Sequence, residues 1–212
     1  MRYLIVALAV AMAAPAARAA GWEALPAGSQ IVVHVYKKGV FSAFAHDHEF
    51  EVRQWRATAD IPDGDPASTS VEIVLSASSL HDRQPRLSES DRRKVDAQAA
   101  GPEVLDAANH PQIEFRSQHV ALDSGPGDRR EHVRGTLQGT LTLRGRAVPT
   151  DVVFEAERDS DAWRVRGRAR VKQSKFGIEP FSGFGGTVGV KDELEIEIAL
   201  LLRPKEHRAP DR

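Results

Sequence analysis

The segment Phe41 to Phe50, FSAFAHDHEF, sets His46 and His48 on either side of Asp47 and among the rings of Phe41, Phe44 and Phe50. On an extended strand residues two apart share a face, so both imidazoles could meet one ion while Asp47 points away. Zinc takes three or four ligands, and each imidazole needs its other nitrogen held by a partner. His34, His81, His110 and His119 offer further donors, but no spacing selects one. Acid–base chemistry would need a carboxylate that orients a ring, and Asp47, next to both in sequence, projects from the opposite face. The chain also lacks G-x-S-x-G, P-loop and H-E-x-x-H patterns and any cysteine nucleophile. The remaining reading puts His46 and His48 at the lip of an apolar pocket, where a ring buries its body and leaves a nitrogen for water or a ligand's head group. The residues thus favour binding over catalysis, with no resident metal. A metal- or haem-linked redox accessory built on His46 and His48 is the alternative.

Such a lip needs walls, and the second half of the chain supplies them. In HVRGTLQGTLTLRG, Val133, Gly135, Leu137, Gly139, Leu141 and Leu143 alternate with polar residues, a strict period of two. AWRVRGRARV sets Trp163, Val165, Gly167, Ala169 and Val171 against an arginine row, and ELEIEIALLL sets Leu194, Ile196 and Ile198 against a glutamate row. The two charged rows predict cross-strand pairing on neighbouring antiparallel strands. QIEFRSQHV and VPTDVVFEA alternate less regularly, with Ile113, Phe115, Val152 and Phe154 on the apolar side. Earlier, QIVVHVY, a long HEFEVRQWRATADI and TSVEIVLS read as three strands, the second stopped by Pro62 to Pro66. One helix is predicted from Ser88 to Ala100, with Ser88 as its cap and Gly101-Pro102 as its stop, followed by a short helical turn over Glu103–Ala108 before Asn109-His110-Pro111. Long strands with one apolar face make a sandwich or a closed barrel, and periodicity does not separate the two. Charges outside and apolar residues inside make any such barrel the inverse of a porin.

The strand glycines bear on what the interior holds. Gly135, Gly139 and Gly167, with Ala169, recur on the apolar faces. Strand glycine serves bends and close approach, or keeps a lumen open for an elongated apolar ligand. FSGFGGTVGV, with Phe181 and Phe184, reads as a glycine-rich portal loop or a long hairpin connection.

The 212 residues carry a formal net charge of -1, with 41% hydrophobic and 28% charged residues, which asks for no nucleic-acid partner. The expected organisation is one domain over 20–212 with a polar tail over about 204–212. It follows a signal segment, 1–19, with a basic start, an apolar run and an Ala17-Arg18-Ala19 cleavage pattern. The absence of cysteine in an exported chain fits a periplasmic location.

Taken together, SESDRRKVDAQAAGPEVLDAANHPQIEFRSQHV, VRGTLQGTLTLRGRAVPTDVVF and VKQSKFGIEP resemble the YceI-like family of periplasmic polyisoprenoid-binding proteins, over roughly Gln30 to Leu202. The resemblance implies an all-β, lipocalin-like antiparallel barrel of about eight strands with one helical excursion over about 88–108. It implies an isoprenoid, quinone-like or fatty-acyl chain in the lumen, a role in isoprenoid transport, and no catalytic residue or other cofactor. By position it implies that the strand starting near Val40, with Phe115, Leu137, Leu141, Phe154, Trp163 and Phe176, lines or caps that lumen. The chain departs from the family in AHDHEF, which carries two histidines in place of one. The expected partner is a hydrophobic small molecule, the chain does not span a membrane, and a homodimer stays open.

Overall fold

The alternating stretches become antiparallel strands whose pairing returns on itself. In the computed structural model the described residues are 20–39, 47–62, 66–123, 131–183 and 187–205. In chain order the strands are β1 (Ala20–Ala24), β2 (Gln30–Lys38), β3 (His48–Val52), β4 (Trp55–Ile61), β5 (Ser70–Ser76) and β6 (Leu80–Asp82). After the helix α1 (Glu89–Ala100) come β7 (Gln112–Leu122), β8 (His132–Leu143), β9 (Arg146–Asp159), β10 (Ala162–Lys172), β11 (Ser182–Gly183) and β12 (Val188–Pro204). The ring β1-β4-β5-β7-β8-β9-β10-β12 closes where Trp22 lies opposite Pro204 and Ala24 opposite Leu202. This is a closed eight-stranded antiparallel barrel, and closure leaves the ring without an exposed sheet edge. β2, β3 and β6 extend the walls of β1, β4 and β5 at one end, β2 running beside the first half of β12.

The charged rows meet in part. Arg168 faces Glu197 and Arg170 faces Glu195 across β10 and β12, with Arg170 Nη2 2.9 Å from Glu195 Oε1. Arg164 and Arg166 fall opposite Leu201 and Ala199, and Arg164 bonds to Asp159 instead. Exposed pairs of this kind contribute a few tenths of a kcal/mol and serve register more than stability.

Two expected elements differ. HEFEVRQWRATADI is two strands: Arg53 N–H donates to Ser79 O and the Gln54 carbonyl accepts from Ser76 N–H, so the wall bends between β3 and β4. Glu103–Ala108 is a run of turns in place of helix, with Asp106 N–H returning to Gly101 O and Asp106 at φ 48°. The helix itself starts as its sequence requires, Ser88 Oγ accepting from Asp91 N–H at 3.1 Å. α1 buries no residue of its own and is tied to β6 by Asp96, whose carboxylate accepts from Asp82 N–H at 2.8 Å and meets His81 Nδ1 at 2.9 Å. Among the described residues no helix is long and apolar enough to cross a membrane.

The glycines of β8 serve close approach. A Cβ on Gly135 would lie 2.3 Å from Ala121 O, and one on Gly139 2.4 Å from Arg116 O and 2.7 Å from the Phe115 ring. At Gly139 the crowding falls where the register of β7 shifts between Ser117 and His119, whereas Gly135 lies opposite Leu122 beyond the shift. Gly135→Ala is therefore expected to lower stability by about 1–3 kcal/mol through overpacking, read as a lower urea midpoint. An unchanged midpoint would contradict the close approach.

Candidate functional site: an apolar cavity in the barrel

Inward-facing residues of β4, β5, β7, β8, β9, β10 and β12 enclose a cavity of about 120 Å³. Its floor and walls are made by period-two sets: Ala57, Ala59 and Ile61 on β4, Val152, Phe154 and Ala156 on β9, and Ile198, Leu200 and Leu202 on β12. Four of its lining residues are small, Ala57, Ala59, Ala156 and Gly167, and fill less of the lumen than larger side chains would. No charged residue lines it, and its polar members are the two threonines Thr58 and Thr69. The charges stay on the outer wall, where hydrogen bonds from Tyr36, then Arg170, hold the Glu195 carboxyl below its ordinary value against the opposing effect of burial. Such a void can hold apolar matter and offers nothing to a buried charge.

Four of the residues singled out in the sequence meet here: Phe115, Leu137, Phe154 and Trp163. The Arg158 guanidinium stands 5.8 Å from the Trp163 ring centroid, a cation–π contact. Leu141 and Phe176 are buried in the continuous core but are not among the cavity's lining residues, and Phe50 is buried against His48, ring centroids 6.0 Å apart. Phe181 is exposed. Phe41, Phe44, His46 and Phe184 lie outside the described residues. Of the strand glycines, Gly167 alone lines the cavity. Sequence reasoning missed the walls from β4 and β5, whose short alternation of Ala57, Ala59, Val71 and Ile73 was the available signal.

His48 sits toward the other end of the barrel. It lies opposite Val35, and Val35 opposite Leu194, whereas the β12 residues of the cavity begin at Ile198, about 13 Å further along the strand. His48 Nδ1 is 2.5 Å from Asp82 Oδ2, and Asp82, with no exposed surface, also accepts from Gln84 N–H at 2.7 Å. Asp47 Oδ1 accepts from Lys37 N–H at 2.8 Å, and the carboxylate on the His48 ring is that of Asp82. A cluster with metal-ligand spacing lies on the outer wall, at His132, Glu155 and Glu157. There Glu155 Oε1 is already engaged by His132 Nε2 at 2.7 Å and Arg134 Nε at 3.1 Å, and these hydrogen bonds, that of His132 first, hold its carboxyl below the usual range.

The sequence signature of the YceI-like domain matches residues 22–202. The chain belongs to the YceI-like family. Similar solved structures include BcnA of Burkholderia cenocepacia, 20% identical with a TM-score of 0.62, covering 82% of this chain and 95% of that one. A polyisoprenoid-binding domain from Saccharophagus degradans, implicated in plant cell wall breakdown, is 10% identical with a TM-score of 0.59, covering 88% and 99%. A Campylobacter jejuni YceI protein with a monobromobimane guest is 16% identical with a TM-score of 0.51, covering 73% and 84%. These likenesses are likenesses of fold. No curated protein was found to match the chain.

Proposed function

We propose that this YceI-like protein is a binding protein and carrier for an apolar chain, isoprenoid, quinone-like or fatty-acyl, held in the barrel lumen and moved through the periplasm after export on the 1–19 segment. The observation that carries the reading is the cavity itself: a void enclosed by seven strands and lined without a charged residue. The polyisoprenoid binding named for the Saccharophagus degradans domain supports the same ligand class. Phe115, Leu137, Phe154 and Trp163 are its wall, Leu141 and Phe176 back that wall from the core, and a carrier needs no catalytic residue.

Magnitudes set the scale of the ligand. At about 0.8 kcal/mol per buried methylene, roughly ten carbons supply the 8 kcal/mol of a micromolar Kd, before the cost of ordering the chain. An engineered void of about 150 Å³ takes one benzene ring, so ten carbons need more room than 120 Å³. The ligand must widen the lumen as it enters.

Titration with farnesol, followed by tryptophan fluorescence and by calorimetry, tests this. The expected result is saturable quenching that Trp163→Phe largely removes while calorimetric binding persists. Saturable binding of neither farnesol nor palmitate in the calorimeter would overturn the reading.

A further inference from the structure

The cavity has a weak seam in its wall. The β5–β7 ladder runs only from Ser76 opposite Gln112 to Glu72 opposite Arg116. Beyond that point β7 continues to Leu122 against β8, with its register shifted between Ser117 and His119, while β5 reaches only to Ser70. What ties the two strands there is a side chain, Ser117 Oγ accepting from Val71 N–H at 2.7 Å, with the 3₁₀ turn Pro66–Ser68 packed beside β7. Outside this seam lies a polar pocket of about 290 Å³ whose lining includes Asp60, Ser70, Glu72, Arg116 and Ser117. Thr58 and Val71 line both this pocket and the apolar cavity.

We propose that the cavity opens sideways between β5 and β7, and that the polar pocket outside the seam seats the ligand's polar end, a neutral hydrogen-bonding group such as a hydroxyl or a carbonyl. The proposal rests on the carrier reading and adds the place and chemistry of the head group. A polar end left inside the lumen would lose its hydration among side chains that cannot replace it, whereas Thr58, Ser70 and Ser117 hydroxyls and the Arg116 guanidinium stand within the next pocket. The charge there selects against an anion. Arg116 is held by Glu72 at 2.8 Å and by Glu114, and Glu72 also meets Arg56 at 3.9 Å. In the pocket's lining Asp60 and Glu72 outnumber the one guanidinium, Arg116. A diphosphate would have to displace carboxylates from Arg116 and then face them, a repulsion that excludes it. A hydroxyl donates to Glu72 or Asp60 and accepts from Arg116 or a serine, with no charge to neutralise.

The test compares farnesol with farnesyl diphosphate by calorimetry, on the unaltered protein and on Asp60→Asn/Glu72→Gln. These two side chains are on the outer surface, so the variant is expected to fold, which its thermal midpoint checks. The unaltered protein is expected to favour farnesol by about tenfold or more, and the double variant to lose most of that preference by gaining diphosphate affinity. Glu197→Gln, on the outer face of β12, removes a carboxylate away from the seam and is expected to leave the preference unchanged. Thr58→Trp, at the shared boundary, is expected to slow farnesol association by about tenfold with little change in thermal midpoint, as steric constraint on entry falls on the on-rate. Equal affinities for the two ligands, or a preference that Glu197→Gln shifts as much as the double variant does, would overturn the head-group assignment while leaving the carrier reading intact. An unchanged association rate in Thr58→Trp would overturn the lateral opening. Binding of neither compound to the unaltered protein would remove the carrier reading and this proposal with it.

Discussion

Replacing Phe176 by alanine is expected to lower the folding free energy by about 3–5 kcal/mol. Its ring is 1% exposed and belongs to the main core. It is carried by the 3₁₀ turn Gln173–Phe176 after β10, which is clamped onto β12: Ser174 N–H and Oγ donate to Asp192 at 2.8 and 2.7 Å, and Gln173 Nε2 to Lys191 O at 2.9 Å. Burial pushes the Asp192 carboxyl up, but the Ser174 bonds and the charges of Lys172 and Lys38 outweigh it, so it titrates below the ordinary value and stays ionised as the clamp requires. A turn held at several points cannot collapse into the space a lost ring leaves, which puts the cost toward the upper end of the range. Against a domain stability of about 5–15 kcal/mol, that loss is visible in any denaturation curve. Phe181→Ala, at a ring 54% exposed, is the comparison and is expected to change stability by less than about 0.5 kcal/mol. A loss below about 1 kcal/mol for Phe176→Ala would contradict its place in the core.

The second large effect concerns the lumen. Ala156→Phe puts a ring into the cavity from β9 and is expected to weaken farnesol binding by at least tenfold, the equivalent of about 1.4 kcal/mol, while costing about 1–3 kcal/mol of stability through overpacking. Val153→Phe adds the same ring three residues earlier but on the outward face, where the residue is 61% exposed. It is expected to leave affinity unchanged. The pair separates occupancy of the lumen from any general effect of an added aromatic, and farnesol binding to Ala156→Phe at the unaltered affinity would show that the chain lies elsewhere.

How much of this was legible depends on the range of the interaction. The alternation in β8, β10 and β12 is local and strong, and it gave these strands and their inward faces, Leu137 and Trp163 among them. The Ser88 cap is equally local and gave α1. Closure was not legible from periodicity, because it depends on β1, the five residues AGWEA, whose Trp22 faces Pro204 from the far end of the chain. The break at Arg53 and Gln54 left one mark in the sequence, a slip of phase from Phe50 and Val52 inside to Ala57 and Ala59 inside, while the bonds that make the bend run to the distant Ser79 and Ser76. His48 shows the same limit: spacing paired it with His46, whereas its partner in the fold is Asp82, 34 residues on, a buried carboxylate that nothing in the local pattern marks. The glycines misled in a different way. Gly135 and Gly139 sit on an apolar face, but the space above them is filled by β7, and Gly167, which lines the cavity, is itself flanked by Val152 and Ile198.

Native mass spectrometry of the exported protein, purified without detergent and then extracted with organic solvent, tests the central claim most directly. The account predicts an added mass that leaves with the solvent and reads as a prenyl, quinone-like or acyl chain. A bare protein mass, or an added metal ion that is lost when His46 and His48 are both replaced by alanine, would contradict it.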